Sequence, residues 1–108
     1  MIEAKTGGVN VRFMLDTGAS RVVLSRDDAA RLGIQVNTLT FSQPTMTANG
    51  LVLSAPLTLP SLTIGPIQVY NISAAVHGGE LDHSLLGMSF LEKIKGYKVS
   101  NGMLTLQN

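Results

Sequence analysis

The sequence predicts a mainly β, barrel-like domain with two short helices. Three observations carry this expectation: six or more short strand-like runs, turn residues between nearly all of them, and only two stretches with helix signals. With 108 residues the chain is expected to form one domain over 1–108, with a single core. That size is small for a deep enclosed pocket, so a large cleft calls for a partner.

The strands begin at once. Ile2 to Lys5 and Val9 to Leu15 read as a hairpin around Thr6-Gly7-Gly8, because Gly-Gly supplies the positive φ of a tight turn. Arg21 to Leu24 is a short strand ending at Ser25, and a capped helix follows. Ser25 suits the N-cap, Asp28 the third helical position, and Gly33 the residue past the C-terminus. The helix dipole accounts for Asp27 and Asp28 without a catalytic role.

Thr38 to Thr47 and Leu51 to Leu59 flank Ala48-Asn49-Gly50, and Asn-Gly is a strong hairpin signal. The outer part of this long hairpin, Pro44 to Ser54, lacks a dense core pattern, as a projecting arm would. Pro44 and Pro56 suit edges or bends. Leu62 to Ile64 and Ile67 to Val76 are further strands around Gly65-Pro66, and Gly78-Gly79 opens a loop. Ser84 to Leu86 is a short apolar strand, followed by Gly87 and a helix from Ser89 to about Lys95. Tyr97 to Ser100 and Met103 to Leu106 close the chain as a hairpin around Asn101-Gly102.

Composition excludes several function classes. A formal charge of +1, with basic residues scattered, gives no electrostatic footprint for nucleic acid or an acidic membrane surface. Cysteine is absent, which removes disulfides, thiolate catalysis and zinc–thiolate sites. His77 and His83 lie six apart in a polar, turn-like segment, without the spacing that puts two metal ligands on one helix face, and read as solvated loop residues. No apolar run reaches the roughly 18 residues of a membrane span, so the domain is expected to be soluble as given. Its mean hydropathy of +0.26 is high for a small domain and hints at apolar surface buried between subunits. Ile2 starts a strand pattern directly after Met1, which suggests a domain cut from a longer protein.

The stretch that demands chemistry is Phe13-Met14-Leu15-Asp16-Thr17-Gly18-Ala19-Ser20. Three apolar residues suggest a strand covered on both faces. A carboxylate at the mouth of such a strand is desolvated unless partners compensate. Gly18 permits the sharp turn that would fix Asp16. A turn acid bonding its own backbone is the plainer alternative.

Asp16-Thr17-Gly18-Ala19-Ser20 after an apolar strand, with Leu85-Leu86-Gly87 about seventy residues later and a helix behind it, resembles the retropepsin-like aspartic proteases. The match runs nearly end to end. It is most similar to a bacterial clan of single-domain members, which also shares Leu32-Gly33, Thr47-Ala48-Asn49-Gly50 and Ser84 through Leu91. The resemblance implies a closed retropepsin-like barrel with a flap hairpin. Only one Asp-Thr-Gly motif is present, and Asp82-His83-Ser84 is not a second copy, so the resemblance implies a homodimer with two Asp16 side chains meeting on a two-fold axis.

The same resemblance implies a mechanism. One Asp16 takes a proton from water while the other donates to the peptide carbonyl, and no metal or cofactor is required. Thr17 braces the pair across the two-fold, and Gly18 lets substrate backbone approach. Ala48-Asn49-Gly50 tip a flap that closes over a peptide substrate. Ala19, Ser20, Leu85, Leu86, Gly87 and Met88 are candidates for lining the site, although Leu85 and Leu86 fit core packing equally well and Met88 is undecided. Retroviral members typically have an acid at the position of Ser20 and an arginine at that of Met88, which pair with each other. Their joint replacement by neutral residues is coherent and implies a different grip on substrate.

Two functions therefore compete: an aspartic endopeptidase working best in mild acid, and a dimerisation or peptide-binding domain that keeps the fold without cleaving. Related bacterial proteins often carry an N-terminal membrane anchor with this domain outside the cytoplasm, which is the corresponding expectation for the full-length protein.

Overall fold

Alternation of inward and outward residues builds the first wall. In β1 (Ile2–Thr6) and β2 (Val9–Leu15) the antiparallel register runs from Ile2 opposite Phe13 to Thr6 opposite Val9. Ala4, Val11 and Phe13 point inward, whereas Asn10, Arg12 and Met14 point out. The structure, a computed structural model, describes residues 1–94, 96–100 and 103–107. Met14 is 46% exposed, so β2 is covered on one face and not on both. The wholly buried strands are β3 (Val22–Leu24) and β7 (Ser84–Leu86), each short and without an outward residue.

The long strands β5 (Gly50–Ile64) and β6 (Ile67–His77) pair with each other, while β4 (Gln43–Thr47) pairs along the outer part of β5. Six strands close on themselves in the order β1-β2-β7-β3-β6-β5, with Lys5 of β1 opposite Thr63 of β5 completing the ring. β7 lies between β2, to which it is parallel, and β3, which it meets antiparallel through Val23 and Leu85. Phe13, Leu24, Leu62, Ile72, Leu86 and Phe90 fill the interior. The fold is mainly β, a closed barrel with two short helices.

Several expected boundaries move, each for a physical reason. The hairpin strand does not begin at Thr38. Residues Val36–Thr38 form a 3-10 turn, in which the Thr38 hydroxyl bonds Gln35 O at 2.7 Å and competes with strand pairing. The strands expected at Leu51–Leu59 and Leu62–Ile64 are one continuous β5. Pro60 lacks an N–H, so its pairing with Asn71 is skipped, yet the register resumes unchanged from Leu59–Ile72 to Ser61–Tyr70. Asn71 absorbs the irregularity with φ 56°, which asparagine tolerates.

Helix α1 (Arg26–Arg31) is capped as expected: Ser25 Oγ accepts the Asp28 N–H at 3.1 Å. Asp28 does more than offset the dipole. It pairs with Arg31 at 3.0 Å and accepts the hydroxyl of buried Ser84 at 2.5 Å, tying α1 to β7. Helix α2 is only Met88–Leu91, not Ser89 to about Lys95. Beyond it, Lys93 N bonds Phe90 O at 3.0 Å and Ile94 N bonds Leu91 O at 3.4 Å, a tightened i to i+3 turn, and Lys95 lies outside the described residues. β8 (Gly96–Ser100) and β9 (Met103–Gln107) form a separate antiparallel sheet. The turn expected at Asn101-Gly102 lies outside the described residues.

Candidate active site

Asp16 follows β2 directly, and the parallel pairing of β2 with β7 continues into it: its N–H bonds Leu86 O at 3.0 Å. The chain then reverses, with Ala19 N bonding Asp16 O at 3.0 Å and Gly18 N donating to Asp16 Oδ1, also at 3.0 Å. The self-bonding turn acid is thus present, but it satisfies only one carboxylate oxygen. Oδ2 accepts the Ala48 N–H at 3.1 Å from the tip of the β4–β5 hairpin, 32 residues away in sequence. Asp16 retains 9% of its surface, and among the described residues no cationic side chain forms an ion pair with it. Among the described residues, main-chain N–H groups are its hydrogen-bond donors and offset its desolvation.

The turn is supported from below by Gly87. A Cβ there would overlap the carbonyl oxygens of Arg21 and Ala19, so only glycine lets β7 pass into α2 under this loop. Met88 N bonds Ala19 O at 2.9 Å, and Ser89 Oγ accepts the Val22 N–H at 2.9 Å while donating to Ser73 O at 2.7 Å. These contacts join β3, β6, β7 and α2 around the acid.

From above comes the β4–β5 hairpin. Its corner residues are Ala48 and Asn49, and the positive φ of 101° falls on Gly50. Thr47 Oγ1 donates to Gly50 O at 2.8 Å and accepts the Asn49 N–H at 3.2 Å, which stiffens the tip. Beside it lies a cavity of about 410 Å³ reached by Asp16, Leu15, Ala48, Val52, His77 and Leu85.

The residues singled out in the sequence therefore separate. Asp16, Ala48, Asn49 and Leu85 border one cavity. Gly18 lies under the hairpin tip, and Thr17 has an exposed side chain with no hydrogen bond among the described residues. Ser20 is exposed, and its N–H bonds Met46 O at 3.2 Å. Ala19 and Leu86 have no accessible surface, because both face inward beneath the turn; contact of their side chains with a substrate is not available in this arrangement. Gly50 and Gly87 act through backbone shape, and Met88 turns away toward the Tyr97 hydroxyl, 4.0 Å from its sulfur.

Sequence reading missed two polar residues of the cavity. His77 is not a solvated loop residue but the half-buried last residue of β6, its Nδ1 accepting the Gly79 N–H at 2.9 Å. Glu80 comes next in the loop that borders the same space. The one available signal was the length of β6, whose pairing with β5 extends to His77 opposite Ser54.

Comparison with known proteins places this fold. Residues 2–93 match the family described as "gag-polyprotein putative aspartyl protease". A crystal structure of a retropepsin-like aspartic protease from Rickettsia conorii aligns with a TM-score of 0.81 at 40% identity, over 97% of this chain and 77% of that one. An uncharacterized protein of Rickettsia prowazekii is 43% identical over 105 residues, and one of Sinorhizobium 40% over 106. Each alignment takes in 97% of this chain but only 45% and 46% of those proteins, so the chain spans about half the length of these relatives. Fold and sequence agree, and the chain belongs to the retropepsin-like aspartic protease family.

Proposed function

We propose that the chain is half of a homodimeric aspartic endopeptidase in which Asp16 of each subunit contributes one carboxyl group to a shared site. The observation that carries this reading is the setting of Asp16: a nearly buried acid held, among the described residues, by main-chain N–H groups, beside a cavity roofed by a hairpin. One carboxylate can act as a base or an acid but not as both in the same step. A second is needed, and among the described residues no other acid adjoins Asp16 within the fixed turn; Glu80 sits on an exposed loop.

Two carboxyl groups at hydrogen-bonding distance hold one proton between them. The ionised Asp16 removes a proton from water, and the oxygen attacks the peptide carbonyl carbon. Asp16 of the partner subunit gives its proton to the carbonyl oxygen, producing a neutral tetrahedral diol. The first Asp16 then passes its proton to the amide nitrogen while Asp16 of the partner subunit takes a proton back from one diol hydroxyl; the C–N bond breaks, leaving a carboxylic acid, an amine and a pair that again shares one proton. In this reading Thr17 braces the pair across the two-fold, and the β4–β5 hairpin is a flap that excludes water.

A binding domain that never cleaves is favoured by one observation: the hairpin tip already occupies Asp16 Oδ2. Digestion of a peptide library by wild type and Asp16→Asn, from about pH 3 to about pH 8, separates the two. Cleavage by wild type alone is expected. No cleavage by a wild-type protein verified as dimeric in the assay would overturn the protease reading.

A further inference from the structure

We infer that the β4–β5 hairpin tip is a latch: in the single chain it occupies the face of Asp16 that a second copy must meet, so association and hairpin opening are linked. The latch rests on the homodimer reading and adds a regulated step to it.

The hairpin blocks the acid in two ways. Chemically, Ala48 N donates to Oδ2 at 3.1 Å while the turn's own Gly18 N takes Oδ1, so each oxygen has a donor in place. Sterically, the tip rests on the Asp-Thr-Gly turn. A Cβ built on Gly18 would lie 3.1 Å from Ala48 Cα and 3.2 Å from Ala48 N, which leaves no layer for a second main chain between them. One more clasp, Ser20 N to Met46 O at 3.2 Å, holds the arm beside the turn.

The remainder of the arm is built to move. Its tip is a preformed unit, closed on itself by the Thr47 bonds to Gly50 and Asn49. Its outer face, Met46, Leu51 and Leu53, is 49%, 66% and 58% exposed, so nothing presses it down. The root is fastened: Gly78 N bonds Leu53 O at 2.9 Å, and Ser54 pairs with His77 of β6. Bending is therefore confined to the segment beyond Leu53. Opening it breaks two hydrogen bonds to the body, Ala48 N to Asp16 Oδ2 and Ser20 N to Met46 O.

Linkage gives the size of the effect. If only the open chain associates, the apparent affinity falls with the open fraction, and because both subunits must open, the dimer constant scales with its square. Losing one hydrogen bond of ordinary strength raises the open fraction about fivefold and hence association about 25-fold.

Ala48→Pro removes the donor while suiting the corner, since proline is favoured at the first central position of a turn and Thr47 before it is already extended. Sedimentation equilibrium across a dilution series reads association without requiring cleavage. Ala48→Pro is expected to dimerise about 25-fold more tightly than wild type, and Ala48→Ser, which keeps the N–H, to match wild type. In dilute wild type the Ala48 amide is expected to exchange slowly with solvent, and to exchange faster in Asp16→Asn. A folded Ala48→Pro with the wild-type dimer constant overturns the latch and leaves the homodimer reading intact. Should Ala48→Pro not fold, fast exchange of the Ala48 amide in dilute wild type overturns the latch by itself. Chains that stay monomeric in all variants at every concentration overturn both.

Discussion

The two sides of the Asp16 carboxylate are built differently. Below it, the turn is knitted to β7, β3 and α2 by Asp16 N to Leu86 O, Met88 N to Ala19 O and Val22 N to Ser89 Oγ, with Gly87 wedged under two carbonyls. Above it, a two-stranded arm reaches the acid through one amide and leaves its outer leucines in solvent. Hydrogen bonds within a packed layer break only together, whereas those at the end of an arm break one at a time. The lower side is thus suited to hold a group in place, and the upper side to leave it.

That contrast is sharpened or broken by substitutions on either side. The largest effect is expected from the acid itself. Asp16→Asn keeps the Oδ1 acceptor for Gly18 N and the fold, but removes the proposed base and should lower peptide hydrolysis at least about a thousandfold. Gly87→Ala comes next: its methyl meets backbone that cannot rotate away, and urea unfolding should show a loss of about 3 kcal/mol or more. Ser84→Ala removes the acceptor for Ser25 N and the donor to Asp28 in a buried position, for a loss of about 2 kcal/mol by the same measurement.

On the arm the order reverses, with small stability effects and visible functional ones. Gly50→Ala forces a side chain into φ 101° and should cost about 1 kcal/mol or more locally, with reduced protection of the Ala48 amide. Leu53→Ser, on the exposed face, should change stability by less than about 0.5 kcal/mol. If arm substitutions lowered unfolding stability as much as Gly87→Ala, the arm would belong to the packed body and the distinction would fail.

How much of this could be read from the chain depends on how local its causes are. The Ile2–Leu15 hairpin and the Ser25 cap depend on residues within a few positions, and so they match. The short strands Val22–Leu24 and Ser84–Leu86 were also legible, as fully apolar or small runs. The 3-10 turn at Val36–Thr38 was not, because a threonine hydroxyl choosing a nearby carbonyl over a strand partner leaves no periodicity. Nor was the passage of β5 through Pro56 and Pro60, which depends on that stretch having β6 alone as its full neighbour.

For the site, the sequence by itself determined the acid, its turn and the glycine that the turn requires, since Asp16, Thr17 and Gly18 act within one reversal of the chain. It also determined that a backing strand ending in Leu85-Leu86-Gly87 exists. Only the tertiary structure decided which of those residues face the cavity, that His77 and Glu80 join them, and that Ala48 reaches Asp16 Oδ2. The reason is geometric. Side-chain direction and the meeting of positions 16 and 48 are set by strand pairings that close the barrel, and a pairing between distant segments leaves no mark on either segment alone.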